Sequence, residues 1–218
     1  ALGAADLRGL ATVLRQFKVK EFWESGARNG ESAELLSIVQ RRGVVRRELR
    51  RGERIRLGPV LVTILHPPGE LLRGSPRGPA SDENNNSLVL RLEWGALSLL
   101  FTGDLEQEGE ASLLESSLPL RHLVLKVGHH GSRFSTTERF LAASQPTVAV
   151  ISAGARNPFR HPTSVVLERL QAAGVRTFRT DRDGAVILES DGRTLTLTRW
   201  ASQETEKIDV GETRALLR

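Results

Sequence analysis

At 218 residues the chain can bury one sizeable core or two small ones, and 39% hydrophobic with 26% charged residues is an ordinary globular balance. It has no cysteine, which excludes disulfides and thiolate metal sites, so any metal must be held by His, Asp, Glu or Asn. No apolar run reaches the roughly 20 residues of a membrane-spanning helix. The net charge of +5, from 31 Lys and Arg against 26 acids, either suits a polyanion such as nucleic acid or reflects an arginine-rich composition.

Residues 4–17 place Leu7, Leu10, Val13, Leu14 and Phe17 on one face at helical spacing. A short strand is expected over 19–25 and a second amphipathic helix over 31–43, closed by Gly43. Two strands follow within 46–68, where Val60, Val62 and Ile64 alternate at period two. Residues 69–86 read as one long polar loop, too broken by Gly, Pro, Ser and Asn to be core. SLVLRLEW and ALSLLFTGD form a hairpin about Gly95, and a helix near 105–116 leads to a buried-type strand at 122–127. Helix 136–144, strand 147–154 and helix 163–174 come next, then strands VRTFRT, AVILES and RTLTLTRW with DRDG and SDG turns between them. Strand–helix alternation mixed with hairpins indicates a layered α/β fold. Residues 201–218 read as a polar tail.

Three strand ends carry chemically loaded residues: FTGD (101–104), KVGHHGS (126–132) and SAGARNPFRHP (152–162). All three follow apolar strands, so Asp104, His130 and His161 are expected within roughly 10 Å of one another at one sheet edge. One Asp and several His without Cys is the ligand chemistry of a hydrolytic zinc or manganese centre. Each piece also has a plainer reading. Asp104 either caps the helix after it or ligates, and a histidine at 129 or 130 alone is more often a satisfied loop residue. Adjacent residues on an extended segment point opposite ways, so only one of the two is expected to face the site. His66 and His122 have no such companions and read as structural.

NNNSLVLRLEWGALSLLFTGD, LVLKVGHHGS, the ISAG…N…HP segment and TDRDGAVIL together resemble the metallo-β-lactamase-type domain of the ComEC family, bacterial competence proteins that internalise DNA. The resemblance covers about residues 1–200. It implies a four-layer αβ/βα sandwich with two divalent ions, zinc or manganese, at the edge of its sheets. By position it makes Asp104 the bridging ligand, His130 or His129 the later histidine ligand, and His161 a ligand or substrate-side group. Asn84–Asn86 stand where other members of the superfamily supply a histidine. Lys126 joins Asp104 and His161 as a candidate catalytic residue, and Lys126, Ser132, Arg133, Asn85 and Asn157 are candidate substrate contacts.

The superfamily's HxHxDH motif is absent, and the resemblance places it just before Ala1, together with the first strands of the fold. The site in this chain is therefore expected to bind metal loosely. The implied function is a nuclease or phosphodiesterase degrading the strand that is not imported, with DNA and a membrane-channel domain of the same polypeptide as partners, at the bacterial cell membrane. Two alternatives stand beside it: a hydrolase of small esters or lactones, and a domain that binds single-stranded DNA without cutting it.

Overall fold

The computed structural model describes residues 4–27 and 32–210. In chain order the elements are α1 (Ala4–Gln16), β1 (Glu21–Glu24), α2 (Ser32–Arg41), β2 (Val45–Glu48), β3 (Arg54–Leu57), β4 (Val60–His66) and α3 (Pro79–Asn84). Then follow β5 (Val89–Trp94), β6 (Leu97–Phe101), α4 (Gln107–Leu114), β7 (Val124–Lys126), α5 (Glu138–Ser144) and β8 (Val148–Ile151). The chain closes with α6 (Ser164–Ala172), β9 (Arg176–Arg179), α7 (Thr180–Asp183), β10 (Val186–Ser190), β11 (Thr194–Arg199) and β12 (Thr205–Asp209). No described helix is long and apolar enough to cross a membrane.

A seven-stranded sheet runs in sequence order from β3 to β9, antiparallel from β3 to β6 and parallel from β6 to β9. Its central strands are apolar on both faces, because both are covered. Leu100, Leu125, Ala149 and Ile151 pack with Leu113, Phe140, Leu141, Val166 and Leu170 of α4, α5 and α6. Their alternating neighbours Leu97, Leu99, Val124, Val148 and Val150 pack with Leu195, Leu197 and Ile208 of the β10–β11–β12 sheet. The β3–β5 half of that second face carries Val62, Ile64, Leu90 and Leu92 against Leu49 and Trp23. Helices, large sheet and small sheet thus form the layered α/β sandwich.

Several expectations change. The polar tail contains β12, which pairs antiparallel with β11 and buries Ile208; residues 211–218 lie outside the described residues. The long loop 69–86 contains α3, and Asn84, Asn85 and Asn86 at its end are all buried. On α1, Leu14 is buried while Val13 and Phe17 stay exposed, so the expected stripe is only partly covered; the Leu7 side chain lies outside the described ones.

Candidate functional site

Strands β6, β7 and β8 are parallel, so their carboxyl ends deliver three loops to one edge, where open α/β sheets place their sites. The Thr102 hydroxyl donates to the Lys126 carbonyl at 2.8 Å, and the His129 amide donates to the Gly103 carbonyl at 3.0 Å, tying the first loop to the second. Asp104 sits just beyond. It is not a helix cap, since that position falls to Glu106, and its amide donates to the Ser87 hydroxyl.

Gly128–Gly131 forms a tight kinked turn rather than an extended segment. His129 and His130 both adopt left-handed backbone, with φ of 45° and 54°, a conformation costing about 1–2 kcal/mol per non-glycine residue. The two rings leave the turn in different directions, one toward Asp104 and the other toward Glu106. His130 Nδ1 donates to the Ser152 carbonyl at 2.8 Å and its Nε2 lies 3.6 Å from Asp104 Oδ1. A backbone carbonyl at one ring nitrogen fixes the tautomer and aims the other at a ligand or substrate. His129 turns the other way, its Nδ1 lying 3.1 Å from Glu106 Oε1. Its ring meets those of His161 and His130 edge-on, with centroids 5.6 and 6.4 Å away.

His161 arrives from the third loop, held against the histidine turn at Gly131. The Thr163 amide and hydroxyl both donate to the Gly131 carbonyl, at 3.0 and 3.1 Å. Gly131 has φ 85°, and a Cβ there would stand 2.6 Å from Pro162 Cβ. Gly131→Ala should therefore cost about 2 kcal/mol through strain and overpacking. A shift in the urea midpoint of that size checks it, and an unchanged midpoint refutes the close approach. Burial pushes the His161 imidazole below its ordinary pKa, His129 and His130 add to this, and Asp104 opposes it.

Glu106, which no sequence motif marks, organises the ground under His129. It is 4% exposed and accepts from Arg77 Nη2 at 2.8 Å, the Ser81 hydroxyl at 2.5 Å and Asn84 Nδ2 at 2.8 Å. Burial alone would raise its pKa, but the contacts with His129, Ser81, Asn84 and Arg77 outweigh it and hold the carboxyl at about 2. Arg77 also pairs with Glu108 and lies 4.9 Å over the Phe134 ring.

The candidate substrate contacts divide. Lys126 and Ser152 line a cleft of about 670 Å³ with Asp104 and His130, whose far wall is apolar, from α1 and α2. The Lys126 ammonium donates to the Val127 carbonyl at 2.9 Å. Arg133 is exposed beyond the turn. Asn85 is 1% exposed, giving its amide to Glu108 and receiving the Gly109 amide, so it is a buried brace and not a substrate contact. Ser132 is likewise buried, its hydroxyl receiving the Phe134 amide at 3.4 Å. Asn157 spends both ends of its side chain within its own loop, on Gly154 and His161.

Among the described residues no group of three or more His, Asp or Glu side chains is arranged to hold a metal ion. Asp104 and His130 approach each other as a ligand pair would, but structural and catalytic zinc centres take at least three protein ligands. By themselves these residues do not fit a resident metal.

No family model matches the chain. It is 37% identical over 174 residues to ComE operon protein 3 of Bacillus subtilis, matching 80% of this chain and 21% of that protein. It is 44% identical over 118 residues to competence protein ComA of Neisseria gonorrhoeae, 54% of this chain and 17% of that one. Over 88 residues it is 41% identical to recombination protein 2 of Haemophilus influenzae, 40% of this chain and 11% of that one. The chain thus spans about a fifth or less of these relatives' lengths. A solved structure from Parabacteroides distasonis, assigned as a metal-dependent hydrolase, superposes with a TM-score of 0.43 at 10% identity over 74% of this chain and 64% of that one. That likeness is too remote to bear on function.

Proposed function

Because this chain belongs to the ComEC family of competence proteins, we propose that it is a hydrolase domain of a DNA-uptake protein, acting on the phosphodiester backbone of DNA. The observation that supports this best is the meeting of Asp104, His130, His129 and His161 at the carboxyl edge of β6–β8. Asp104 contributes an anionic oxygen and His130 an Nε2 whose ring is anchored from behind by Ser152. Two donors do not hold a divalent ion, so in this reading the remaining ligands of a zinc or manganese centre come from outside the described residues. Lys126 at the end of β7 and Arg133 just beyond the histidine turn would neutralise phosphate charge.

The incomplete donor set also supports the rival reading, a domain that binds DNA without cutting it. A protein carrying this domain with its flanking segments separates the two. It should degrade labelled DNA with Mn²⁺ or Zn²⁺, and Asp104→Ala should lower the rate by more than about 100-fold, the loss that even outer-shell partners of a metal can cause. The 218-residue chain alone should bind Mn²⁺ loosely and turn over no DNA. Cleavage that survives excess chelator, or tight stoichiometric binding of two ions by this chain alone, would overturn the proposal.

A further inference from the structure

The third loop carries an aromatic side chain where burial would be expected to remove one. Phe159 is 75% exposed, the most exposed large apolar side chain among the described residues. Its ring is not loose: it stacks on His161 with centroids 5.8 Å apart and planes 28° from parallel. His161 in turn meets His129, and His129 meets His130, beside Asp104. Four rings thus form a row from solvent to the reaction-site carboxylate, and Phe159 is its outer end.

The loop is built to hold that ring in place. Asn157 Nδ2 donates to the Gly154 and His161 carbonyls, both at 2.7 Å, and its Oδ1 accepts the His161 amide at 2.8 Å. Arg160, next to Phe159, adopts left-handed backbone with φ 55°. Arg156 and Arg160 flank the ring in sequence and are exposed, and no carboxylate among the described residues pairs with either. A held ring with an open face, flanked in sequence by two exposed cations that no described carboxylate pairs with, matches one ligand chemistry well. A nucleobase stacks on the π-face while the neighbouring phosphates meet the guanidinium groups.

We propose that Phe159 is a stacking platform for an unpaired nucleobase, holding single-stranded DNA beside the histidine cluster, with Arg156 and Arg160 on the adjoining phosphates. The proposal rests on the nucleic-acid reading above and narrows it. A base inside a duplex has both faces covered by its neighbours, so the platform selects a frayed or displaced strand.

The test is fluorescence anisotropy of a labelled oligothymidylate with the 218-residue chain at low salt. Phe159→Ala should weaken binding roughly 5- to 150-fold, the range for removing one base–aromatic stack. Phe159→Leu should behave like Phe159→Ala, since it keeps the apolar bulk without the π-face, and Phe159→Trp should bind at least as well as the wild type. Against an oligomer of abasic sites, wild type and Phe159→Ala should be alike. Replacing Arg156 and Arg160 by Ala should flatten the dependence of log affinity on log salt by about 0.7 for each phosphate no longer neutralised. Because all three positions are exposed, circular dichroism should be unchanged.

Equal affinity of Phe159→Ala and wild type for the oligothymidylate overturns the platform while leaving the nucleic-acid reading intact. An equal loss on a closed duplex hairpin overturns the preference for unpaired bases. If the substitution instead abolishes cosedimentation with anionic phosphatidylserine vesicles and leaves oligonucleotide binding unchanged, the ring belongs to a membrane surface and the proposal is wrong. Failure of the wild type to bind any DNA at low salt sinks the underlying reading, and the platform with it.

Discussion

Between pH 7.5 and 5 the chain should lose about 4 kcal/mol of stability, a large part of the 5–15 kcal/mol of an ordinary domain. Two buried histidines are responsible. His66 is fully buried, donates from Nε2 to the Asn85 carbonyl at 2.7 Å, and turns Nδ1 toward the Arg51 guanidinium at 3.4 Å. His122 is 2% exposed, donates from Nδ1 to the Leu120 carbonyl, and leaves Nε2 buried with no partner among the described residues. A second proton would face a guanidinium in the first ring and, in the second, a buried position with no described acceptor. Burial lowers both pKa values from 6.5 to about 4; the carbonyl contacts oppose this, and Arg51 and Arg91 add to it.

The unfolded chain therefore takes up protons that the folded chain refuses. Stability from these groups is intact above pH 6.5 and drains as pH falls toward 4, by about 2 kcal/mol each at pH 5. Below about pH 4.5, protonation of Glu106, whose carboxyl is held down, adds to the loss. Glu110 acts in the opposite sense, because burial pushes its carboxyl up, partly offset by Thr137, Thr136 and Arg169. Urea midpoints across this range check the prediction, and His122→Gln should remove about half of the slope. A pH-independent midpoint, or the same slope in the variant, refutes it.

Glu106→Ala should cost about 3 kcal/mol, near the lower end for breaking a buried ion pair, because Arg77 retains Glu108. The substitution also removes the acceptor that the buried Ser81 hydroxyl and the buried Asn84 amide both use, and the carboxylate facing His129. Glu108→Ala should cost about 1 kcal/mol or less, since that side chain is 31% exposed and bonds only to Arg77 and Asn85 in this network. Urea midpoints of the two variants decide the matter. Equal costs would mean that Glu106 is not the anchor of the network.

The carboxylate–arginine network could not have been found by reading along the chain. Arg77 and Glu106 are 29 residues apart, in a stretch that looks like solvated loop on one side and helix start on the other. Nothing local distinguishes a glutamate that will be buried under a histidine from one that will face water. The three asparagines at 84–86 illustrate the same gap: their polarity suggested a loop outside the core, and three-dimensional pairing turned them into buried braces.

What the sequence by itself determined was the layering. The alternation of Leu123–Val127 and Val148–Ile151 assigns successive side chains to opposite sheet faces, because a strand has period two and both faces must be covered. From that follows the edge at which FTGD, GHHGS and the HP segment emerge; His66 and His122 read as structural because no companion motif stands beside them in the sequence. The tertiary structure alone decided what each residue does there. His130 rather than His129 faces Asp104 because Ser152, 22 residues away, takes its Nδ1 and Glu106 faces the other ring. The segment expected as tail becomes β12 because β11 offers it an open edge. Phe159 stays in solvent because Asn157 locks its loop around His161. Each of these rests on contacts between segments distant in sequence, and periodicity carries no record of such partners.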